Sequence, residues 1–228
     1  MTVNKYTTDH DDIAKDIKTR GCPVCNYIWE RVLDFFSQWV HGLAENEDIQ
    51  KQNADAHGLC PFHSWQLVAV GSPLGISKGY GKLIRQIANE LHNGSDTQVK
   101  ATVTLHSLVN GAKECRVCIL MQKEESSYIS KMSNFLMAEE NRRLYNSSGG
   151  LCLRHLQNVV MEIKDIEVVR FLMTEAAKHF NAIADEMDSY SLKRKTSQKQ
   201  LLTKAEKDAH LRGIIHAVGR QHICNQFQ

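Results

Sequence analysis

Gly58-Leu59-Cys60-Pro61-Phe62-His63 and Gly150-Leu151-Cys152-Leu153-Arg154-His155 carry the same pattern twice, Gly-Leu-Cys-x2-His. Each is preceded by a Cys-x2-Cys pair. Cys22 and Cys25 come first, with 34 residues between Cys25 and Cys60. Cys115 and Cys118 open the second copy, with 33 residues between Cys118 and Cys152. Six of the seven cysteines fall into this pattern, which repeats at an offset of 93 residues at the first pair and 92 at the second. Chance does not readily place four soft ligands twice in one order. The pattern reads as a duplicated Cys3His metal site, with zinc as the default ion and two zinc ions per chain. Taken copy by copy, Cys22, Cys25, Cys60 and His63 are expected to form one site. Cys115, Cys118, Cys152 and His155 are expected to form the other.

The chemistry suits the spacing. Structural zinc takes four thiolate or imidazole ligands in a tetrahedron. Ligands three residues apart share one face of a helical turn. Each knuckle runs straight into an apolar helical stripe, so each site should join two helix N-termini, whose N–H groups and partial positive charge favour thiolates. Pro23 and Pro61 directly follow a ligand cysteine, and proline suits the first position of a helix. Arg116 and Arg154 stand inside the second copy's knuckles and are read as solvated surface side chains. Three cysteines and a histidine can also hold an iron–sulfur cluster, which is the alternative cofactor.

Outward from the knuckles the chain reads as all-α. Proline is scarce, at three residues in 228. Ile28, Val32, Phe35, Phe36, Trp39, Val40 and Leu43 recur at helical spacing and predict a helix over 26–44. A short helix is expected over 10–20, a polar loop over 45–57, and helices from Cys60 to about Val70 and around 83–91. Residues 96–112 hold the alternating Thr102-Val103-Thr104-Leu105. Helix is preferred there, because a lone strand would have no partner. The second copy predicts a long helix over 117–146, another from Cys152 to about Ile163, and a third over 166–188. The stripe of that third helix is Val169, Leu172, Met173, Ala176, Phe180, Ile183, Ala184 and Met187. Residues 189–200 are basic and polar, and read as a mobile linker. Thr203 and Glu206 have capping-box spacing and should open a final helix, packed on the body through Ala205, Ala209, Ile214, Ile215 and Val218. The expected organisation is tandem: 1–94 and 95–188 as two metal-binding repeats, 189–202 as linker, and 203–228 as C-terminal helix and tail.

Other candidates carry less. Cys224, beside His222, reads as a thiol in a frayed tail. His210, His216 and His222 recur every six residues, which turns neighbours about 120° apart on a helix, so they cannot share an ion. Glu175 and His179 read as a surface contact, and His57 is excluded because only His63 has a counterpart in the second copy. The basic run Lys193, Arg194, Lys195, Lys199, Lys204 and Lys207 lacks interleaved stacking aromatics beyond Tyr190 and reads as solvated.

A net charge of +2 does not by itself argue for nucleic acid. The first ten residues have no apolar core and predict no secretory signal, so a cytoplasmic setting with reduced thiols is expected. No apolar run approaches a membrane span. No phosphate loop, Gly-x-Ser-x-Gly or His-Glu-x-x-His motif is present, and four protein ligands leave a metal no open position. The expected role is a non-enzymatic, metal-stapled scaffold that binds another protein or itself. An iron–sulfur protein of electron transfer or redox sensing is the first rival. A nucleic-acid binder using the basic C-terminal segment is the second.

The doubled order Cys-x2-Cys … Gly-Leu-Cys-x2-His over about residues 20–188 resembles a family of uncharacterised bacterial proteins known only as a domain of unknown function. The stretch from Glu206 to Gly219 resembles the tail of such proteins. The resemblance implies tandem helical units with this four-ligand set and brings no substrate.

Overall fold

The structure is a computed structural model, and it describes residues 10–110, 115–196 and 199–220. Among the described residues every regular element is helical, as composition and periodicity predict. In chain order the helices are α1 (His10–Asp16), α2 (Pro23–Glu45), α3 (Glu47–Asp55), α4 (Pro61–Val70), α5 (Pro73–Asn93), α6 (Gln98–Asn110), α7 (Arg116–Leu136), α8 (Glu139–Asn146), α9 (Leu153–Glu162), α10 (Ile166–Lys195) and α11 (Lys204–Val218). A 3-10 turn at Lys199–Leu201 lies between the last two. Cys224 and His222 lie outside the described residues.

Local sequence chemistry explains where these helices begin and end. Residues 45–57, expected as a loop, contain α3. Its polar composition hides a strong start signal: the Asn46 side chain accepts from the Asp48 and Ile49 N–H groups, and Glu47 and Asp48 sit at the positive end of the dipole. Only Asn53 and Ala54 of α3 are buried, so periodicity had little to register. The helix α5 begins ten residues earlier than its apolar stripe, at Pro73, capped by the Ser72 hydroxyl. The long helix expected over 117–146 is two helices. Side chains of the second take over the terminal carbonyls of the first: Asn141 donates to the Phe135 carbonyl at 2.9 Å, and Arg142 to Leu136 and Met137 at 3.0 and 2.8 Å. Capping of this kind leaves no mark in hydrophobic spacing.

The basic stretch 189–200 is also different from its expectation. Up to Lys195 it is the end of α10, and Lys193 donates to Glu206 of α11 at 2.6 Å. The capping box at the start of α11 is present, with Glu206 Oε2 accepting from the Thr203 N–H and Thr203 Oγ1 accepting from the Glu206 N–H. As expected, α11 packs on the body, against α10 and α9. Its inner face is the expected one only in part, with Ala209 fully buried and Ala205 and Ile215 half-buried. Glu206, Ala209 and His216 are buried, while Ile214 and Val218 are exposed. Polar partners on α10 rotate the helix: Glu206 binds Ser189 and Lys193, and Arg212 pairs with Glu186.

The chain forms two compact units. Unit 1 comprises Met1–Trp29 and Glu125–Gln228, and unit 2 comprises Glu30–Glu124. This partition differs from the successive halves 1–94 and 95–188. In unit 1, Ile13, Ile17, Val24 and Ile28 from the N-terminal segment are buried, as are Met132, Phe135, Tyr145, Val159 and Leu172 from the C-terminal one. In unit 2, Val32, Phe36, Leu43, Leu67, Leu83 and Val117 are buried, and α3 packs along α5. The helix α6 packs on α5, buries none of its own residues, and exposes Val99, Val103 and Val109.

Candidate metal centres

All eight predicted ligands are gathered into two sets of four, but the sets are crossed between the copies. Unit 1 joins Cys22 and Cys25 of the first copy to Cys152 and His155 of the second. Unit 2 joins Cys60 and His63 of the first copy to Cys115 and Cys118 of the second. The copy-by-copy grouping expected from sequence is therefore corrected. Spacing alone could not separate the two pairings, because both knuckles of each kind have the same internal geometry.

The knuckles are built alike. Cys60 and Cys152 are the residues before α4 and α9, with extended backbone, and their carbonyls accept the first helical bonds from Ser64 and Leu156. His63 and His155 then lie in the first turn, three residues on. Gly58 and Gly150 explain the repeated Gly-Leu. They take φ of +79° and +78°, where a side chain is strained. A Cβ at Gly58 would also meet Leu83 Cδ2 at 2.9 Å, and one at Gly150 would meet His179 Cδ2 at 2.9 Å. Leu59 and Leu151 point into the core. The crossed pairing in unit 1 is sealed by backbone: a Cβ on Gly149 would stand 3.0 Å from the Gly21 nitrogen and 3.1 Å from its carbonyl oxygen.

Each set converges on one point. In unit 1, His155 Nδ1 lies 3.4 Å from Cys22 Sγ, 3.4 Å from Cys25 Sγ and 3.2 Å from Cys152 Sγ, and Cys25 and Cys152 are 3.8 Å apart. In unit 2, His63 Nδ1 lies 3.1 Å from Cys60, 3.4 Å from Cys115 and 3.3 Å from Cys118, and Cys60 and Cys118 are 3.8 Å apart. A tetrahedron with metal–sulfur bonds of about 2.3 Å has a sulfur–sulfur edge of about 3.8 Å. All four ligand atoms of each set lie within 4.8 Å of one another. The residues therefore fit a single four-coordinate ion.

Groups packed this tightly share their protons unevenly. Burial pushes the Cys115 thiol up, but the His63 imidazole and backbone hydrogen bonds at Cys60 and Cys118 outweigh it and hold Cys115 down at about 6. Burial, then the neighbouring charges of Cys115 and Cys60, push Cys118 up. In unit 1, hydrogen bonds from Cys22 and Cys25 hold Cys152 well below the usual thiol range. Burial works against a charged His155, but its hydrogen bonds to the Cys152 and Cys22 sulfurs and the nearby Glu125 carboxylate raise it nonetheless. Each cluster is thus arranged to keep a thiolate, the form a metal binds.

Behind the ligands the two centres part company. His155 Nε2 lies 3.2 Å from Glu125 Oε1, an oblique electrostatic pair rather than an aligned hydrogen bond. Glu125 is held in turn by Arg154, at 3.1 and 2.8 Å, and by Asn158 at 3.1 Å. Arg154 is therefore not a solvated bystander, as its sequence context suggested. It fixes the carboxylate behind His155, a candidate ligand. In unit 2, His63 Nε2 faces the Met121 thioether at 3.2 Å. Arg116 is exposed and stands over the Trp39 ring at 5.2 Å. His57 pairs with Glu90 at 3.2 Å, apart from the ligands. His216, read as an unrelated polar position, is buried with Nδ1 3.3 Å from the Leu151 carbonyl, beside the unit 1 knuckle. His179 is half-buried against Gly150 rather than on the surface. Glu125, Met121 and His216 carry no sequence signal of these roles, since each acts through a fold-level contact.

Fold and site together define an all-α protein with two Cys3His clusters that could each hold a metal ion. The chain belongs to DUF6062, a family of unknown function, which matches residues 10–223. No curated protein and no solved structure matched the chain. Among the described residues, no helix is long and apolar enough to cross a membrane.

Proposed function

We propose that this chain is a zinc-stapled helical scaffold, loaded with two zinc ions, that acts by binding another protein or a second copy of itself rather than by catalysis. The observation that carries the zinc reading is the compactness of each set, four ligand atoms within 4.8 Å of one another with 3.8 Å sulfur–sulfur edges. An iron–sulfur cluster distributes its cysteines over different irons and spreads them wider than a single ion's shell. Cys22, Cys25, Cys152 and His155 would hold one ion, and Cys60, His63, Cys115 and Cys118 the other. Four protein ligands close a tetrahedral shell, which supports a structural rather than a hydrolytic role. The reading includes a cytoplasmic setting, where thiols stay reduced.

Metal analysis and a visible spectrum of anaerobically purified protein test this. About two zinc per chain and no colour are expected. Brown colour with acid-labile sulfide would replace zinc by a cluster. Because metal binding is coupled to folding, a strong chelator should lower helical content and the melting temperature; an unchanged melt would remove the structural role. Sedimentation analysis of the loaded protein reads self-association directly.

A further inference from the structure

We propose that the unit 2 centre is a reversible thiol-oxidation site, in which Cys60 and Cys118 form a disulfide and the ion is released, while the unit 1 centre keeps its ion. The proposal rests on the reading of both sets as zinc sites. Three observations separate the centres. First, Cys60 and Cys118 are only half-buried, whereas all four ligands of unit 1 are buried. Second, Cys60 Sγ and Cys118 Sγ stand 3.8 Å apart, so closing to a disulfide needs a shift of about 2 Å. Cys25 and Cys152 are equally close, but burial keeps solutes from their sulfurs. Third, the imidazoles are anchored differently. His155 is backed by Glu125, itself fixed by Arg154 and Asn158. His63 is backed by Met121 sulfur, a weak acceptor that adds little to ligand basicity. The more accessible sulfurs therefore belong to the less firmly held ion.

The chemistry balances with a peroxide as oxidant. One of the two thiolates attacks the peroxide O–O bond, forming a sulfenic acid and expelling hydroxide. The second thiolate attacks that sulfur and expels a second hydroxide as the S–S bond forms. Two thiolates have lost two electrons in total, and the peroxide has gained them. Cys115 and His63 alone cannot complete the shell, so the ion leaves. A dithiol returns the two electrons by exchange and restores both thiolates.

The test uses the full-length protein, first shown to hold two zinc, with hydrogen peroxide and a chromogenic zinc chelator. One zinc of the two should be released early, and non-reducing peptide mapping should find Cys60 joined to Cys118. Dithiothreitol with added zinc should restore the starting content. C60S should begin with one zinc and lack the early phase. Glu125→Gln should weaken the hold of unit 1 on its zinc against a competing chelator, by about tenfold or more, and leave the early release from unit 2 unchanged. Simultaneous loss of both ions, a first disulfide between any other pair, or peroxide resistance of both ions overturns the proposal. Absence of zinc at the outset would instead defeat the zinc reading itself. The wild-type mapping decides the matter even if C60S folds poorly.

Discussion

Gly149 shows how much a single residue carries here. Its Cα lies against the Gly21 backbone, where the two knuckles of the unit 1 centre meet. A methyl group there would meet main chain, which cannot swing aside like a side-chain end. Gly149→Ala should cost about 1–3 kcal/mol, as overpacking does, and should weaken zinc retention in unit 1 only. Gly81→Ala, whose Cβ would meet nothing nearer than the end of Arg85 at 3.9 Å, serves as the control. Urea unfolding of the zinc-loaded proteins reads the difference, and equal midpoints would contradict it. Arg154 gives a second prediction at this scale. Arg154→Ala leaves Glu125 without its bidentate partner and frees the carboxylate behind His155. Chelator competition should then extract the unit 1 zinc faster and leave unit 2 unaffected. The eight side chains that cluster were legible in sequence because thiol and imidazole chemistry has few other uses at such spacing. Their supporting residues were not, since Glu125 and Met121 are ordinary helical residues until the fold turns them toward a histidine.

At the level of elements, α11 is held by a polar clamp more than by grease. Glu206 accepts from Ser189, from Lys193 and from the Thr203 N–H. Those bonds, the Lys193 one first, hold its carboxyl down at about 2, against an ordinary 4.5. A depressed folded value stabilises the folded state above the ordinary value, and the stabilisation is lost as pH falls toward the folded one. Comparing wild type with Glu206→Gln by denaturant unfolding should give a gap that is full at neutral pH, shrinks below about pH 4.5, and closes near pH 2. The comparison cancels acid effects on the metal centres, which both proteins share. A gap that does not vary with pH would show that Glu206 acts by shape alone. The same clamp explains why the apolar stripe predicts the inner face of α11 only in part. Hydrophobic spacing assumes that burial follows apolarity, whereas here a carboxylate and a histidine are inside while Ile214 and Val218 face water. The helix start was readable because capping chemistry is local. The facing was not, because it depends on partners in another helix.

Across the whole molecule, the crossing of knuckles between copies is the feature spacing could not reveal, and it has a decisive test. Double variants distinguish the pairings where single ones cannot. With crossed pairing, Cys22→Ala combined with Cys152→Ala damages one centre and should leave one zinc per chain. Cys22→Ala combined with Cys60→Ala damages both and should leave none. Successive-copy pairing requires the reverse, so metal content of the two proteins separates them outright. The duplication was plain from the repeated ligand order, and so was the helical class. Which half of one copy meets which half of the other depends on long-range packing, such as Tyr128 donating to Asp16 at 2.9 Å and Arg220 donating to Asn26 at 2.9 Å. Such contacts leave no periodic trace.

Because unit 2 is one uninterrupted stretch while unit 1 is assembled from both ends of the chain, the two units become complete at different moments of synthesis. Every ligand of unit 2 has been polymerised once Cys118 is made. Cys22 and Cys25, although made first, must wait until His155 emerges. A growing chain therefore holds all four side chains of the inner set while Cys22 and Cys25 still lack Cys152 and His155. For that interval the amino-terminal pair is open to the wrong partner, whether the new Cys60–His63 knuckle or another chain. The order in which ribosomes deliver the ligands thus favours the inner centre closing first, which removes that competitor before the outer one forms.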